Sequence, residues 1–383
     1  MKNVIHIIGK CLCLVAKILL KIPFLNNTRD LSKEELLGQL SCFSPYHDIY
    51  SECTFSKIEK TEQYDLSIII PFYNAPKEYM RDCLESLINQ KTKYTYEIIC
   101  INDGSIDNTL QMLEEYASKY SVIKIINQKN QGISMARNTG INHSRGKYIG
   151  FIDQDDWVES DYIESLLSVA DEQKADIVKC SFDVVRDGKI VEQNHVRDGI
   201  VSGYIGNQVF NYSGMIWSGI YQKKMFDNIR FPEKFWYEDM ITRFLVYRKS
   251  NMFVSVQKVL YFKRKHESNA SVKIWKDNNF KSLDQVYLVS QLLIQNDKMG
   301  LPRDITLLKL ALEELSLLMN WRMKGIKNNI RYKAFLMACE YVKDYEELYF
   351  LLDKEDIVLM DIFIKRNYLS WFLYSWGTWA INR

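Results

Sequence analysis

Tyr148-Ile149-Gly150-Phe151-Ile152 runs directly into Asp153-Gln154-Asp155-Asp156-Trp157. The apolar half reads as a buried strand, the acidic half as the turn at its carboxyl end. Carboxylates packed this tightly repel one another and need a compensating partner. A hard divalent cation, bound through oxygens and shared with phosphate, is the usual one. Asp103 and Glu238-Asp239 are two further acidic sites that fit the same picture.

Upstream, Leu66-Ser67-Ile68-Ile69-Ile70 is a short apolar run stopped by Pro71, as expected for a buried parallel strand. A helix is expected over 77–90, then a strand from Tyr96 to Ile101 that ends in Asn102-Asp103-Gly104-Ser105. Helices over 107–119 and 132–145 and strands over 122–127 and 147–152 continue the alternation. This predicts the α/β class, with a parallel sheet covered on both faces. Ligands bind such sheets beyond the carboxyl ends of the strands, where Asp103 and Asp153–Asp156 both fall. A helix over 159–171 and a strand over 175–180 follow, then a polar hairpin over 183–203. Strands over 217–221 and 253–256, with a helix over 237–249 between them, complete this part. From about 275 onward the chain is almost wholly helix-forming. The expected domains are an amphipathic helix (1–25), a lead-in (26–64), an α/β domain (65–272) and a helical domain (273–383).

Composition is that of a globular protein, with 47% apolar and 26% charged residues in 383. A formal net charge of +2 gives no reason to expect nucleic acid as a partner. The eight cysteines are scattered without metal-ligand spacing, and Cys100 and Cys180 read as core residues of a protein in a reducing, cytoplasmic compartment. From Val4 to Leu25 the chain is mostly apolar but interrupted by Lys10, Lys17 and Lys21, which share one helical face with His6. Those lysines argue against a spanning helix and for a basic amphipathic helix lying in a membrane interface, or else one packed on the protein's own body. The tail after Asp361 holds Lys365, Arg366 and Arg383, no acid, and the aromatics Phe363, Tyr368, Trp371, Phe372, Tyr374, Trp376 and Trp379. Aromatics of this kind favour the water–lipid boundary or cap a helical core.

Five motifs occur in order: Ser67–Asn74, Asn102–Asp107, Asn130-Gln131-Gly132 with Ala136-Arg137-Asn138, Asp153–Asp156, and Tyr237-Glu238-Asp239. Over about residues 66–270 the chain resembles the inverting glycosyltransferases of family 2, which have the GT-A fold: a Rossmann-like, mostly parallel sheet with flanking helices. The helical C-terminal domain and the N-terminal segment lie outside that resemblance.

The resemblance implies a nucleotide-sugar donor, in the first instance a UDP-sugar, and Mn²⁺ or Mg²⁺ as cofactor. It makes Asp155 the direct metal ligand and Asp153 the group facing the donor ribose or sugar. A helix cap needs one acid rather than three, so Asp156 alone suits that plainer role. Asp103 would contact the nucleoside, although an Asp before Gly is also a common turn former. Asp107 reads as the N-cap of the next helix. Pro71, Tyr73 and Asn74 would border the base, and Asn130 and Gly132 would contribute to nucleotide-sugar binding, Gly132 by allowing close backbone approach to the ligand. Arg137 would reach the nucleotide, or else form a surface ion pair.

Single-displacement chemistry needs a base to deprotonate the acceptor hydroxyl, and the resemblance gives that role to Asp239, with Glu238 orienting the acceptor or replacing it. Glu-Asp at a helix start is equally common as a dipole partner. Trp217 and Trp236 stack on sugar rings or belong to the core. Arg264 and His266, on a loop after a strand, would reach the diphosphate as a lid, with His266 as a further metal ligand. No string of membrane spans follows the domain, so the expected product carries one or a few added sugars. The expected acceptor is a glycan or lipid-linked oligosaccharide at the cytoplasmic face of the membrane. Protein or teichoic-type polymer is the alternative acceptor, and an inactive scaffold the alternative of another class. The helical domain offers surface for a homo-oligomer.

Overall fold

The computed structural model describes residues 2–22, 31–45, 62–267, 269 and 280–381. Parts of the expected segments 1–25, 26–64 and 273–383 lie outside the described residues. The chain divides into two compact units. The larger comprises 49–234 and 238–267; the other comprises 1–48, 235–237 and 268–383.

The larger unit is built on one ten-stranded sheet. Its strands are β1 (Tyr64–Phe72), β2 (Tyr96–Asp103), β3 (Ile123–Gln128), β4 (Gly146–Phe151), β5 (Trp157–Val158), β6 (Ile177–Arg186), β7 (Lys189–Asn194), β8 (Gly199–Ser202), β9 (Gly219–Gln222) and β10 (Met252–Arg264). The order is β3-β2-β1-β4-β9-β6-β10-β5, with β7 on β6 and β8 on β10. The first four strands are mutually parallel, as their apolar runs predict. β9 lies antiparallel between β4 and β6 and so joins a parallel half to a mixed half.

Side chains alternate across the β1 strand. Ile68 and Ile70 join a core with Met80, Leu84, Leu113 and Leu166 from three of the flanking helices. Ile69 points the other way, against Gly140 of the helix Ile133–His143. Both faces are therefore covered.

Several expectations need correction. β1 does not stop at Pro71 but runs to Phe72. Ile69 bonds toward β4, through its carbonyl to the Ile152 amide, so Pro71 two residues on also faces that side. Pairing with β4 has by then ended at Ile69–Phe151, and the missing N–H costs no ladder bond. The hairpin expected over 183–203 is β6–β7 alone, turned at Asp187-Gly188, both with positive φ as a two-residue turn requires. β8 pairs with β10 instead. The helix expected over 237–249 is present but begins at Met240 and carries a π-helical stretch, Thr242–Val246, before Tyr247–Lys249. Glu238 and Asp239 occupy the turn ahead of it, with the Asp239 carbonyl accepting from the Thr242 amide at 2.9 Å.

The other unit is helical. Its helices are Lys2–Leu19, Lys33–Ser41, Asp284–Lys298, Ile305–Glu313, Met319–Arg322, Asn328–Lys343, Lys354–Ile364 and Tyr368–Ile381. Ser32 and Glu35 form a reciprocal capping box at the second of these. Of the described tail aromatics, Phe363, Trp371 and Tyr374 are buried in the core and Tyr368, Phe372 and Trp376 are half-buried. Trp371 is fully buried, donates its indole N–H to the Leu315 carbonyl at 3.1 Å, and packs on Phe335 and Tyr368. Among the described residues, no helix is long and apolar enough to cross a membrane.

Gly146 opens β4 against β1. A Cβ there would stand 2.3 Å from the Ser67 amide nitrogen and 2.6 Å from the Leu66 carbonyl carbon. Neither backbone atom can swing away, so Gly146→Ala should cost about 2–3 kcal/mol. Thermal denaturation of the purified variant checks this.

Candidate functional site

The site collects at the carboxyl ends of β1, β2 and β4. Beyond β1, Asn74 takes a left-handed backbone (φ 46°). Its amide donates to the Ser105 hydroxyl at 3.1 Å and its side-chain oxygen accepts from the Ile106 amide at 2.9 Å. The loops after β1 and β2 are thereby tied together. Tyr73 is exposed, but its backbone is held on both sides by Gln154, whose Oε1 accepts from the Tyr73 amide at 2.8 Å while its Nε2 donates to the Tyr73 carbonyl. Gln154 thus latches the acidic turn to the β1 loop, a role its sequence position does not announce.

Asp103 ends β2 and is buried. Its Oδ1 accepts from Gln128 Nε2 (2.8 Å) and the Gln131 amide (2.9 Å), its Oδ2 from the Gly132 amide (2.8 Å). It shapes the loop that leads into Ile133–His143. Gly132 caps that helix at φ 89°, a conformation that suits glycine. Asn130 lies exposed in the same loop. Asp107 is not the N-cap; Asn108 is, and the Asp107 carboxylate accepts from the Thr109 amide at 2.9 Å.

Arg137 is not a surface ion pair. Its side chain is 2% exposed and holds three carboxylates: Asp153 at 2.9 Å, Glu238 at 2.8 Å and Asp239 at 3.3 Å. The guanidinium also lies over the Phe231 ring. Burial alone would lower its pKa, but Asp239, Asp153 and Glu238 more than reverse that and keep it charged. Asp239 feels the opposite pressure. Burial, with Glu238 and Asp153 nearby, pushes its carboxyl up to about 7 despite the pull of Arg137.

The remaining acids face β10. Asp155 Oδ2 lies 2.7 Å from His266 Nε2. Burial and the neighbouring Asp153 raise the Asp155 pKa, and His266 offsets part of the rise. Asp156 caps no helix; Asp161 is the N-cap residue of Tyr162–Gln173. Buried, Asp156 accepts from the Tyr261 hydroxyl and, at 2.7 Å, from the Arg264 amide, which pins the end of β10 to the acidic turn. Arg264 is the last residue of that strand rather than a loop residue. Its guanidinium pairs with Asp82 at 2.7 Å and lies over the rings of Tyr79 and Trp157. A cavity of about 1090 Å³ opens here, lined by Tyr79, Trp157, Phe262, Arg264 and His266 among others.

Of the two tryptophans, Trp217 is core, stacked on Tyr261 and edge-on to Phe182. Trp236 belongs to the helical unit, its amide donating to Asp284 at 2.8 Å. Among the described residues, no three His, Cys, Asp or Glu side chains gather closely enough to enclose a metal by themselves. Asp155 and His266 do converge, as an oxygen and a nitrogen donor.

A mixed α/β sheet with its acids gathered at the strand ends defines a class of ligand-binding fold. Residues 67–250 match the sequence model of Glycosyl transferase family 2. The domain that these residues form is thus a family 2 glycosyltransferase domain. The chain is 28% identical over 285 residues to Glycosyltransferase GlyA of Streptococcus pneumoniae, covering 71% of this chain and 40% of that one. It is 34% identical over 218 residues to the Putative glycosyltransferase EpsH of Bacillus subtilis, covering 53% of this chain and 62% of that one. The chain thus spans less than two thirds of the length of these relatives. The crystal structure of S. aureus TarS 1–349 in complex with UDP-GlcNAc shares the fold, with a TM-score of 0.64 at 18% identity over 82% of this chain and 91% of that one.

Arg137→Met would leave three partly buried carboxylates facing one another without their cation. Breaking such a cluster should cost about 3 kcal/mol. Arg137→Lys restores the charge without the planar fork and should fall between the two. Denaturant unfolding of all three proteins tests the order.

Proposed function

We propose that the protein is an inverting glycosyltransferase that moves a sugar from a nucleotide-sugar, in the first instance a UDP-sugar, to a hydroxyl of a glycan or lipid-linked oligosaccharide. The observation that carries this reading is the Arg137 bridge, which brings Asp153 of the acidic turn and Asp239 ahead of the π-helical turn into one charge cluster. A donor-side acid and a candidate base are thereby joined through a single side chain. The TarS complex with UDP-GlcNAc supports the choice of donor.

In this reading Asp239 takes the proton of the acceptor hydroxyl, whose oxygen attacks the anomeric carbon from the face opposite the leaving group. The bond from that carbon to the diphosphate oxygen breaks, and the nucleoside diphosphate departs with the electron pair. Glu238 orients the acceptor, and Arg137 holds both acids in place. The carboxylate oxygen of Asp155 and the imidazole nitrogen of His266 are the pair of donors that would hold Mn²⁺ or Mg²⁺. A cation held there supplies Lewis-acid neutralisation of the departing diphosphate. Asp103 acts indirectly, by shaping the 128–132 loop.

Calorimetric titration of UDP with and without Mn²⁺ tests the donor site. Binding should require the metal and should weaken by about tenfold or more in Asp155→Ala. Metal-independent binding that is unchanged in the variant would rule out this arrangement.

Asp239→Asn should lower kcat by about a thousandfold while leaving UDP binding intact. Because Asp239 acts in its ionised form, the wild-type rate should fall as pH drops through about 7. The same raised pKa favours the folded state at low pH, and that stability is lost as pH climbs from 3.8 through about 7. Turnover of UDP-sugars against glycan acceptors across that range reads the first effect, and unfolding free energies read the second.

A further inference from the structure

The helix Lys2–Leu19 presents two chemically opposite faces. One packs on Tyr368–Ile381 at unusually short range: a Cβ on Gly9 would lie 2.7 Å from the Gly377 carbonyl oxygen, and one on Gly377 would lie 2.5 Å from Cys13 Sγ. Only glycine permits that approach at both positions. Ala16 is fully buried on the same side, its carbonyl accepting from the Ser370 hydroxyl at 3.0 Å. This seam fixes the rotation of the helix about its own axis.

The opposite face is apolar and open. Val4 is 59% exposed, Ile7 60%, Leu14 59% and Ile18 52%, with Ile8 and Val15 also exposed. Their spacing repeats at three and four residues, so they form one continuous stripe about 20 Å long. Lys10, Lys17 and Lys21 are exposed and fall together along one edge of it. The first acidic residue of the chain is Asp30. A stripe of this kind, lined by cations and free of anions, matches a surface that is apolar inside and negative at its rim. A second copy of the chain would bring the same lysines and no acid to this face. Among the described residues no helix can span a bilayer, so the geometry is that of lying in the interface rather than crossing it.

We propose that this face docks the protein on an anionic lipid bilayer, with Ile7, Leu14 and Ile18 entering the acyl boundary and the lysines at headgroup level. The inference stands apart from the reaction proposed above. The full chain is tested by co-sedimentation with phosphatidylcholine vesicles, with and without phosphatidylglycerol. Wild-type protein should bind the anionic vesicles, and Ile7→Asp with Leu14→Asp should weaken that binding by about tenfold or more. Lys10→Gln with Lys17→Gln should abolish the preference for phosphatidylglycerol and the sensitivity to salt. All four positions are exposed, so the thermal transitions should match wild type; if the aspartate pair unfolds the protein, the glutamine pair still decides. No binding by wild type, or vesicle binding indifferent to both pairs, overturns the proposal. It is equally overturned if lipid-free protein is a dimer that the aspartate pair converts to a monomer.

Discussion

A buried guanidinium is the constraint around which the larger unit is arranged. Arg137 sits on the helix Ile133–His143, with almost none of its side chain reaching solvent. A charge in that position is tolerable only if carboxylates come to it. They arrive from two places far apart in sequence: Asp153 from the turn after β4, and Glu238 and Asp239 from the turn ahead of the π-helical segment. The sheet supplies that convergence, because β4 and the helix before it are fixed to β1 and β2 by parallel pairing and by the Gly140 contact. Three acids around one cation leave the cluster with an excess of negative charge. The raised pKa of Asp239 is the local expression of that excess under burial.

A second lock holds the other side of the acidic turn. Asp156 receives the Tyr261 hydroxyl and the Arg264 amide, so the last residues of β10 are registered against the end of β4. Arg264 then arrives beside Asp155 by strand geometry, and His266 follows two residues beyond the strand's end. In a run of four residues each polar side chain has a separate structural partner: Asp153 faces Arg137, Gln154 the β1 loop, Asp155 His266, and Asp156 β10. Such division of labour explains why the cluster can remain acidic without unfolding its own turn.

Much of this was legible in the sequence where the governing interactions are local. Apolar runs of strand length, each followed by a helical period, disclosed the parallel half of the sheet, and the acids at the strand ends disclosed where the site gathers. Long-range partners were not legible. Nothing near Asp156 points to Tyr261, 105 residues away, and a lone arginine on a helix gives no sign that it will be buried among three acids. The antiparallel insertion of β9 was likewise hidden, because a short apolar strand carries no mark of its direction. In the helical unit the aromatic tail allowed both a lipid-facing and a core reading; for Trp371 the indole N–H found a carbonyl inside, a partner 56 residues away that the sequence does not mark.

The seam between Gly9 and Gly377 bears on the order in which the chain acquires structure. Ala16 and Ser370 meet across a separation of 354 residues, so closing the helical unit means closing a very long loop. Most of that loop is the sheet unit, whose β1–β2 and β2–β3 pairings join strands consecutive along the chain. Once folded, that unit is a compact spacer rather than a free coil, and the ends it carries have far less space to search. The sheet unit is therefore the natural first event in folding, and the helical unit, interrupted by it in sequence, the one that waits.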